Sequence, residues 1–126
     1  MDQDARTGGC LCGAVRYRLE GEPFKGGLCH CTDCRKVTGG PFLAYADWRP
    51  NQFSYEGKVS TFDGRSFCPT CGSRLFAISD DQVEIYLGSL DAAPYGIAPL
   101  NEGWAKRREP WLQPIAGIPL FPEDPY

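Results

Sequence analysis

Seven cysteines occupy three short segments of this 126-residue chain, and their spacing is typical of metal coordination. The segments are Cys10-x-Cys12, Cys29-x-Cys31-x-x-Cys34 and Cys68-x-x-Cys71. Thiolates one to three residues apart can converge on one ion at the bond length of about 2.3 Å that zinc requires. A disulfide between cysteines separated by one residue is usually strained, and seven is an odd number. The spacing therefore predicts zinc, with oxidised pairing or unligated buried cysteines as the alternatives.

The number of thiols favours a closed metal site of four and an open site of three. A structural zinc normally has four protein ligands, whereas a catalytic zinc has three and leaves one position for water or substrate. The first and third segments would together form the closed site and tie the first strand to the middle of the sheet. We therefore predict a structural zinc on Cys10, Cys12, Cys68 and Cys71, and an open zinc on Cys29, Cys31 and Cys34.

His30 is the only histidine, and it lies inside the second segment. It could complete a site of three cysteines and one histidine. Because cysteines on both sides tend to point the intervening side chain away from a shared metal, we expect His30 to face solvent or substrate instead.

Alternating apolar and polar residues, with frequent turn residues between them, predict a mainly β chain that forms one domain over residues 1–126. The predicted strands cover residues 14–19, 42–46, 53–55, 59–62, 74–78 and 83–87. Gly26 and Gly27 predict a turn, and Thr32 is expected to cap a short helix that ends at Gly39. Residues 119–126 are predicted to be a loose tail, because a terminus without a pairing partner is usually poorly ordered.

The net charge of -3 argues against a nucleic-acid binder, which normally carries a basic surface. No apolar run approaches the roughly 20 residues that span a bilayer, and the first residues contain no signal-peptide core. These observations predict a cytoplasmic protein that binds neither nucleic acid nor membrane.

The cysteine segments, with their neighbours, resemble the glutathione-dependent formaldehyde-activating enzyme family, also called the Gfa or CENP-V family. The matching stretches are residues 9–17, 29–40 and 67–76, and the likeness extends from about residue 7 to about residue 111. The resemblance implies a mainly β, Mss4-like small zinc-stapled β-sheet domain with two zinc sites divided as above. This chain departs from the family pattern at Glu102-Gly103-Trp104, where family members commonly carry His-Ile-Trp.

The resemblance also implies carbon-sulfur lyase chemistry on a small-thiol aldehyde adduct, of which the type reaction forms S-(hydroxymethyl)glutathione. Glutathione is then the expected partner, and Arg35, Lys36 and His30 are candidate substrate-binding residues beside the open zinc. Solvated surface cations are the alternative interpretation of Arg35 and Lys36. A non-catalytic zinc module for protein interaction or metal handling is the alternative function, and the replacement of the family histidine by Glu102 favours it.

Overall fold

A computed structural model describes residues 5–126, which form two compact units along the chain. The first unit contains residues 5–25 and Ala46–Gly96, and the second contains Gly26–Tyr45 and Ile97–Tyr126. Ten short strands and one α-helix lie in the described residues, so the predicted mainly β fold is confirmed. The single domain stays a prediction. No helix among residues 5–126 is long and apolar enough to cross a bilayer.

The first unit contains two groups of antiparallel strands. Three of its strands are neighbours in the order β1-β2-β5, and four more are neighbours in the order β9-β8-β7-β6. Their bounds are β1 Arg6–Gly9, β2 Arg16–Leu19, β5 Phe53–Glu56, β6 Ser60–Phe62, β7 Arg65–Phe67, β8 Arg74–Ile78 and β9 Val83–Tyr86. Most of these strands lie where sequence alternation predicts them, whereas β1 and β7 were not predicted.

The core of the first unit is aromatic and aliphatic. Val15, Tyr17 and Leu19 are buried as their alternation predicts. The ring of Phe76 meets Tyr17 edge-on at a centroid distance of 5.9 Å and Phe53 at 5.0 Å. This packing joins β2, β5 and β8, and the first and third cysteine segments lie in the loops that precede β2 and β8.

The second unit contains β3 (Lys25–Cys29), α1 (Thr32–Thr38), β4 (Leu43–Trp48) and β10 (Glu102–Gly103). The first residue of β3 and the last three of β4 are assigned to the first unit. The predicted turn at Gly26 and Gly27 is wrong, because both glycines lie in β3. A Cβ atom on Gly27 would lie 2.4 Å from Oδ1 and 2.7 Å from the backbone oxygen of Asn101. Only glycine allows this approach at residue 27.

The C-terminal residues are paired with other parts of the second unit. The amide of Phe121 donates to the backbone oxygen of Glu102 at 2.9 Å, and the Tyr126 hydroxyl lies 3.0 Å from Nδ2 of Asn101. Leu120 forms a parallel β-bridge with Glu102. The prediction of a loose tail at 119–126 assumed that this segment has no pairing partner, and that assumption is wrong.

A buried carboxylate in β4 provides a stability prediction. Asp47 is buried, and its Oδ1 has no hydrogen-bond partner among the described residues. Burial raises the pKa of Asp47 from 3.8 to about 6. The folded protein therefore keeps a proton that the unfolded chain releases between about pH 4 and pH 6, so the free energy of unfolding falls as pH rises through this window.

We expect Asp47→Asn to raise the free energy of unfolding at pH 7 by roughly 1–3 kcal/mol, and this gain to shrink towards pH 4. Urea denaturation of both proteins from pH 4 to pH 8 measures the difference. Asp80→Asn is the matched control, because the Asp80 side chain is exposed and its removal should leave stability unchanged. A variant less stable than the parent at pH 7 would contradict a net cost of burying the ionised carboxylate.

Candidate metal centres

Four cysteine sulfurs converge in the first unit. Those of Cys10, Cys12, Cys68 and Cys71 all lie within 4.8 Å of one another. The Sγ of Cys12 is 3.6 Å from that of Cys10 and 3.7 Å from that of Cys68. These are free thiols, because all seven cysteines are unbridged. The grouping of the first and third segments that the spacing predicts is therefore present in the structure.

Two tight loops create this four-cysteine cluster. The first connects β1 to β2, and the amide of Val15 donates to the Cys10 sulfur at 3.2 Å. The second connects β7 to β8, where the Cys71 amide donates to the Cys68 sulfur at 3.4 Å. Gly72, with φ of 78°, closes the second loop through its amide, which donates to the Cys68 oxygen at 2.8 Å. Hydrogen bonds from backbone amides to sulfur stabilise the thiolate form that binds metal.

The sulfur spacing tests whether this cluster fits zinc. Four sulfurs arranged tetrahedrally at about 2.3 Å from one ion lie about 3.8 Å apart. The separations of Cys12 from Cys10 and Cys68, 3.6 Å and 3.7 Å, agree with that value. The donor set of four soft thiolates is also one that zinc prefers. The four-cysteine cluster can therefore hold a metal ion, and its geometry fits zinc.

A second cluster of three cysteines lies in the second unit. Cys29 ends β3, Cys31 is the N-cap of α1, and Cys34 lies in the first helical turn. Their sulfurs are all within 4.8 Å of one another, and all three residues are partly exposed. No histidine or carboxylate joins this group among the described residues. The cluster can therefore hold a metal ion and leave one ligand position free.

The helix start explains this local geometry. The Cys31 sulfur accepts a hydrogen bond from the Cys34 amide at 3.3 Å, so Cys31 caps the helix and the prediction of Thr32 as the cap is wrong. The helix ends at Gly39, as predicted. The hydrogen bond between the two thiols lowers the pKa of Cys29 and raises that of Cys34.

The sequence profile of the glutathione-dependent formaldehyde-activating enzyme family matches residues 5–107, which include both clusters. The chain belongs to this family. It is 34% identical over 74 residues to an uncharacterized lyase of Schizosaccharomyces pombe, and this match covers 55% of the chain and 54% of that protein. The chain thus spans about half the length of this curated relative. A crystal structure of a Rhodobacter sphaeroides protein matches with a TM-score of 0.54 at 18% identity, over 90% of this chain and 98% of that one, and it shows a shared fold.

His30 is not part of the three-cysteine cluster of this family member, although its backbone lies between two of the cysteines. Its side chain is fully buried, and Nε2 lies 2.8 Å from Oε1 of Glu102. The expectation that His30 faces solvent is therefore wrong, because a buried acidic partner holds the ring inside the unit. The expectation that His30 contacts the substrate stays a prediction.

Glu102 is the residue whose environment the sequence did not reveal. It is fully buried, and besides His30 it accepts hydrogen bonds from the Arg108 guanidinium at 2.7 Å and the Ile115 amide at 2.8 Å. Burial opposes ionisation of Glu102, but these hydrogen bonds outweigh it and its pKa lies below the usual value. The only sequence signal was the departure from the family histidine, and it gave no indication of these partners.

Arg35 and Lys36, the candidate substrate-binding cations, have different environments. The Arg35 guanidinium donates to Glu109 at 2.7 Å and to the Arg107 oxygen at 3.2 Å. Lys36 is exposed on α1, two residues after Cys34. Arg35 is therefore already engaged with a carboxylate, and Lys36 is the more available cation for an anionic ligand.

Proposed function

We propose that this family member is a zinc-dependent carbon-sulfur lyase that acts on a small-thiol aldehyde adduct, of the S-(hydroxymethyl)glutathione synthase kind. The main support is the three-cysteine cluster, which is partly exposed and has one ligand fewer than the four-cysteine cluster. A site that lacks a fourth protein ligand is typical of catalytic zinc. The family membership and the lyase name of the yeast relative agree with this proposal.

In this proposal Cys10, Cys12, Cys68 and Cys71 hold a structural zinc, and Cys29, Cys31 and Cys34 hold a second zinc. The second zinc would supply a ligand position in which a thiol becomes a thiolate at neutral pH. The negative charge of three cysteine thiolates favours this capture of a thiol over polarisation of an aldehyde oxygen. The reaction forms a bond between the thiol sulfur and the formaldehyde carbon and breaks the thiol S–H bond and the carbonyl π bond. The thiol proton ends on the formaldehyde oxygen.

The residues around the cluster would bind and orient the thiol. The Cys34 amide holds the Cys31 sulfur at the start of the helix, which fixes one wall of the site. Lys36 would attract a carboxylate of an anionic thiol such as glutathione, because it is an exposed cation on the helix that carries Cys34. Arg35 would act through its pair with Glu109, which attaches the helix to the segment that follows β10.

The test is the addition of formaldehyde to glutathione. Exchange NMR with carbon-13-labelled formaldehyde measures its rate. We expect the purified zinc-loaded protein to accelerate formation of the adduct at least tenfold over buffer, a modest effect for an enzyme. A neutral thiol such as 2-mercaptoethanol should be accelerated less, because it cannot pair with Lys36. Protein stripped of metal by a chelator is the control, and it should match buffer.

A protein that holds two zinc ions and yet leaves the rate at the buffer value would contradict the proposal. That result would favour the non-catalytic zinc module. Native mass spectrometry of the same sample, with and without glutathione, reports metal content and thiol binding separately.

A further inference from the structure

A buried ionic network lies in the second unit next to the three-cysteine cluster. Glu102 is its centre: Oε1 contacts His30 Nε2 at 2.8 Å and Arg108 at 2.7 Å, and Oε2 accepts from the Ile115 amide at 2.8 Å. The side chains of His30 and Glu102 are fully buried, and that of Arg108 is 12% exposed. Both carboxylate oxygens are therefore occupied, and water is excluded from the histidine contact.

Strand pairing brings this network next to the three-cysteine segment. Strand β10 pairs with β3 in parallel, with Glu102 opposite Leu28 and Gly103 opposite Cys29. The His30 amide donates to the Gly103 oxygen at 3.1 Å. His30 is thus bound to β10 through its backbone and to Glu102 through its side chain, while the residues before and after it carry two of the three sulfurs.

The network requires an anionic acceptor at residue 102, because the same oxygen faces His30 and the Arg108 guanidinium. An ionised carboxylate only accepts hydrogen bonds, so His30 Nε2 must carry a hydrogen, and the same oxygen accepts from Arg108. A neutral side chain at this position would leave the buried guanidinium without its anion. Removal of one partner from a buried ion pair is strongly unfavourable, because the remaining charge stays buried. The ring of His30 would then lose its fixed orientation.

We propose that Glu102 is a positioning residue that acts through His30 to hold Cys29 and Cys31 in the arrangement that binds metal. This inference rests on the metal-binding part of the proposed function. The carboxylate fixes the ring, and the ring fixes the short segment between the end of β3 and the start of α1. Arg108 strengthens the effect because it holds the carboxylate in place and also donates to the Gln113 oxygen at 3.1 Å. The four-cysteine cluster, which lies in the first unit, has no part in this network.

Cadmium-113 NMR with chelator competition tests this inference on the full chain. We expect the parent to show separate resonances for the two clusters, so the affinity of each site is measured in the same sample. Glu102→Gln should weaken cadmium binding at the three-cysteine site by about tenfold or more and shift its resonance. The four-cysteine site should keep its affinity and its resonance. Glu123→Gln is the matched control, because this exposed carboxylate of the same unit pairs with Lys106 and does not contact His30.

Equal affinities of parent and Glu102→Gln at the three-cysteine site would overturn the inference, even if the variant is less stable to heat. A parent that shows no second resonance would instead overturn the proposed function. Should Glu102→Gln fail to fold, Glu102→Asp is the second variant, because it keeps a buried carboxylate for Arg108 but shortens the side chain that reaches His30. Glu102→Asp should then show a loss of affinity at the three-cysteine site, and an unchanged affinity would overturn the inference.

Discussion

Cys68→Ala is expected to remove one zinc ion and to unfold most of the first unit. Cys68 is fully buried, its sulfur lies 3.7 Å from that of Cys12, and it accepts amide hydrogen bonds from Thr70 and Cys71. A structural zinc contributes about 10–16 kcal/mol in small zinc-binding peptides, whereas a typical domain has a net stability of about 5–15 kcal/mol. The free energy lost with this zinc ion is therefore at least as large as the net stability of a typical domain.

Native mass spectrometry and hydrogen exchange measure this result. The mass should correspond to one zinc ion fewer, and the amides of β1, β2, β7 and β8 should lose their protection. These strands flank the two loops that carry the four cysteines. A Cys68→Ala protein that stays folded with both ions bound would show that the division into four and three ligands is wrong.

Cys31→Ser is expected to abolish metal binding at the three-cysteine site and the proposed lyase activity, with little loss of structure. Serine is among the best N-cap residues, so its hydroxyl can accept the hydrogen bond from the Cys34 amide that the Cys31 sulfur accepts in the parent. Oxygen is a poor replacement for thiolate as a zinc ligand, and only two sulfurs would remain. This substitution therefore separates the metal role of residue 31 from its capping role.

The expected result is one zinc ion per chain, an adduct-forming rate equal to buffer, and hydrogen exchange of the first unit identical to that of the parent. Cys31→Ala is the companion variant, because it removes both the ligand and the cap. It should lose the same zinc ion and additionally destabilise α1 by about 1 kcal/mol. Full activity in Cys31→Ser would exclude this site as the place of the chemistry.

Local sequence determined the cysteine clusters and most of the strands. Sulfurs separated by one or two residues are brought together by a single turn, so the spacing alone predicted which thiols converge within each segment. Strands such as β8 and β9 were visible because alternating side chains record which face is buried. The helix after Cys31 was also predictable, since Gly39 ends it locally.

The network around His30 was decided by tertiary structure. The sequence distance between His30 and Glu102 is 72 residues, and Arg108 and Ile115 lie on a third segment. Nothing in the local pattern indicates that these residues meet, because their proximity follows from the parallel pairing of β10 with β3. Read by itself, Glu102 favoured a non-catalytic module, whereas in the fold it is the buried partner of the histidine inside the three-cysteine segment.

The turn predicted at Gly26 and Gly27 is wrong, and the assumption that residues 119–126 have no pairing partner is wrong for the same physical reason. Both predictions used local propensity, in which adjacent glycines favour turns and chain ends favour disorder. Long-range partners override those preferences: Asn101 requires glycine at residue 27, and Glu102 provides the backbone partner of Phe121. The sequence by itself determined the composition of the two cysteine clusters, and only the tertiary structure determined what surrounds the three-cysteine cluster, because hydrogen bonds between distant segments leave no periodic signal in the chain.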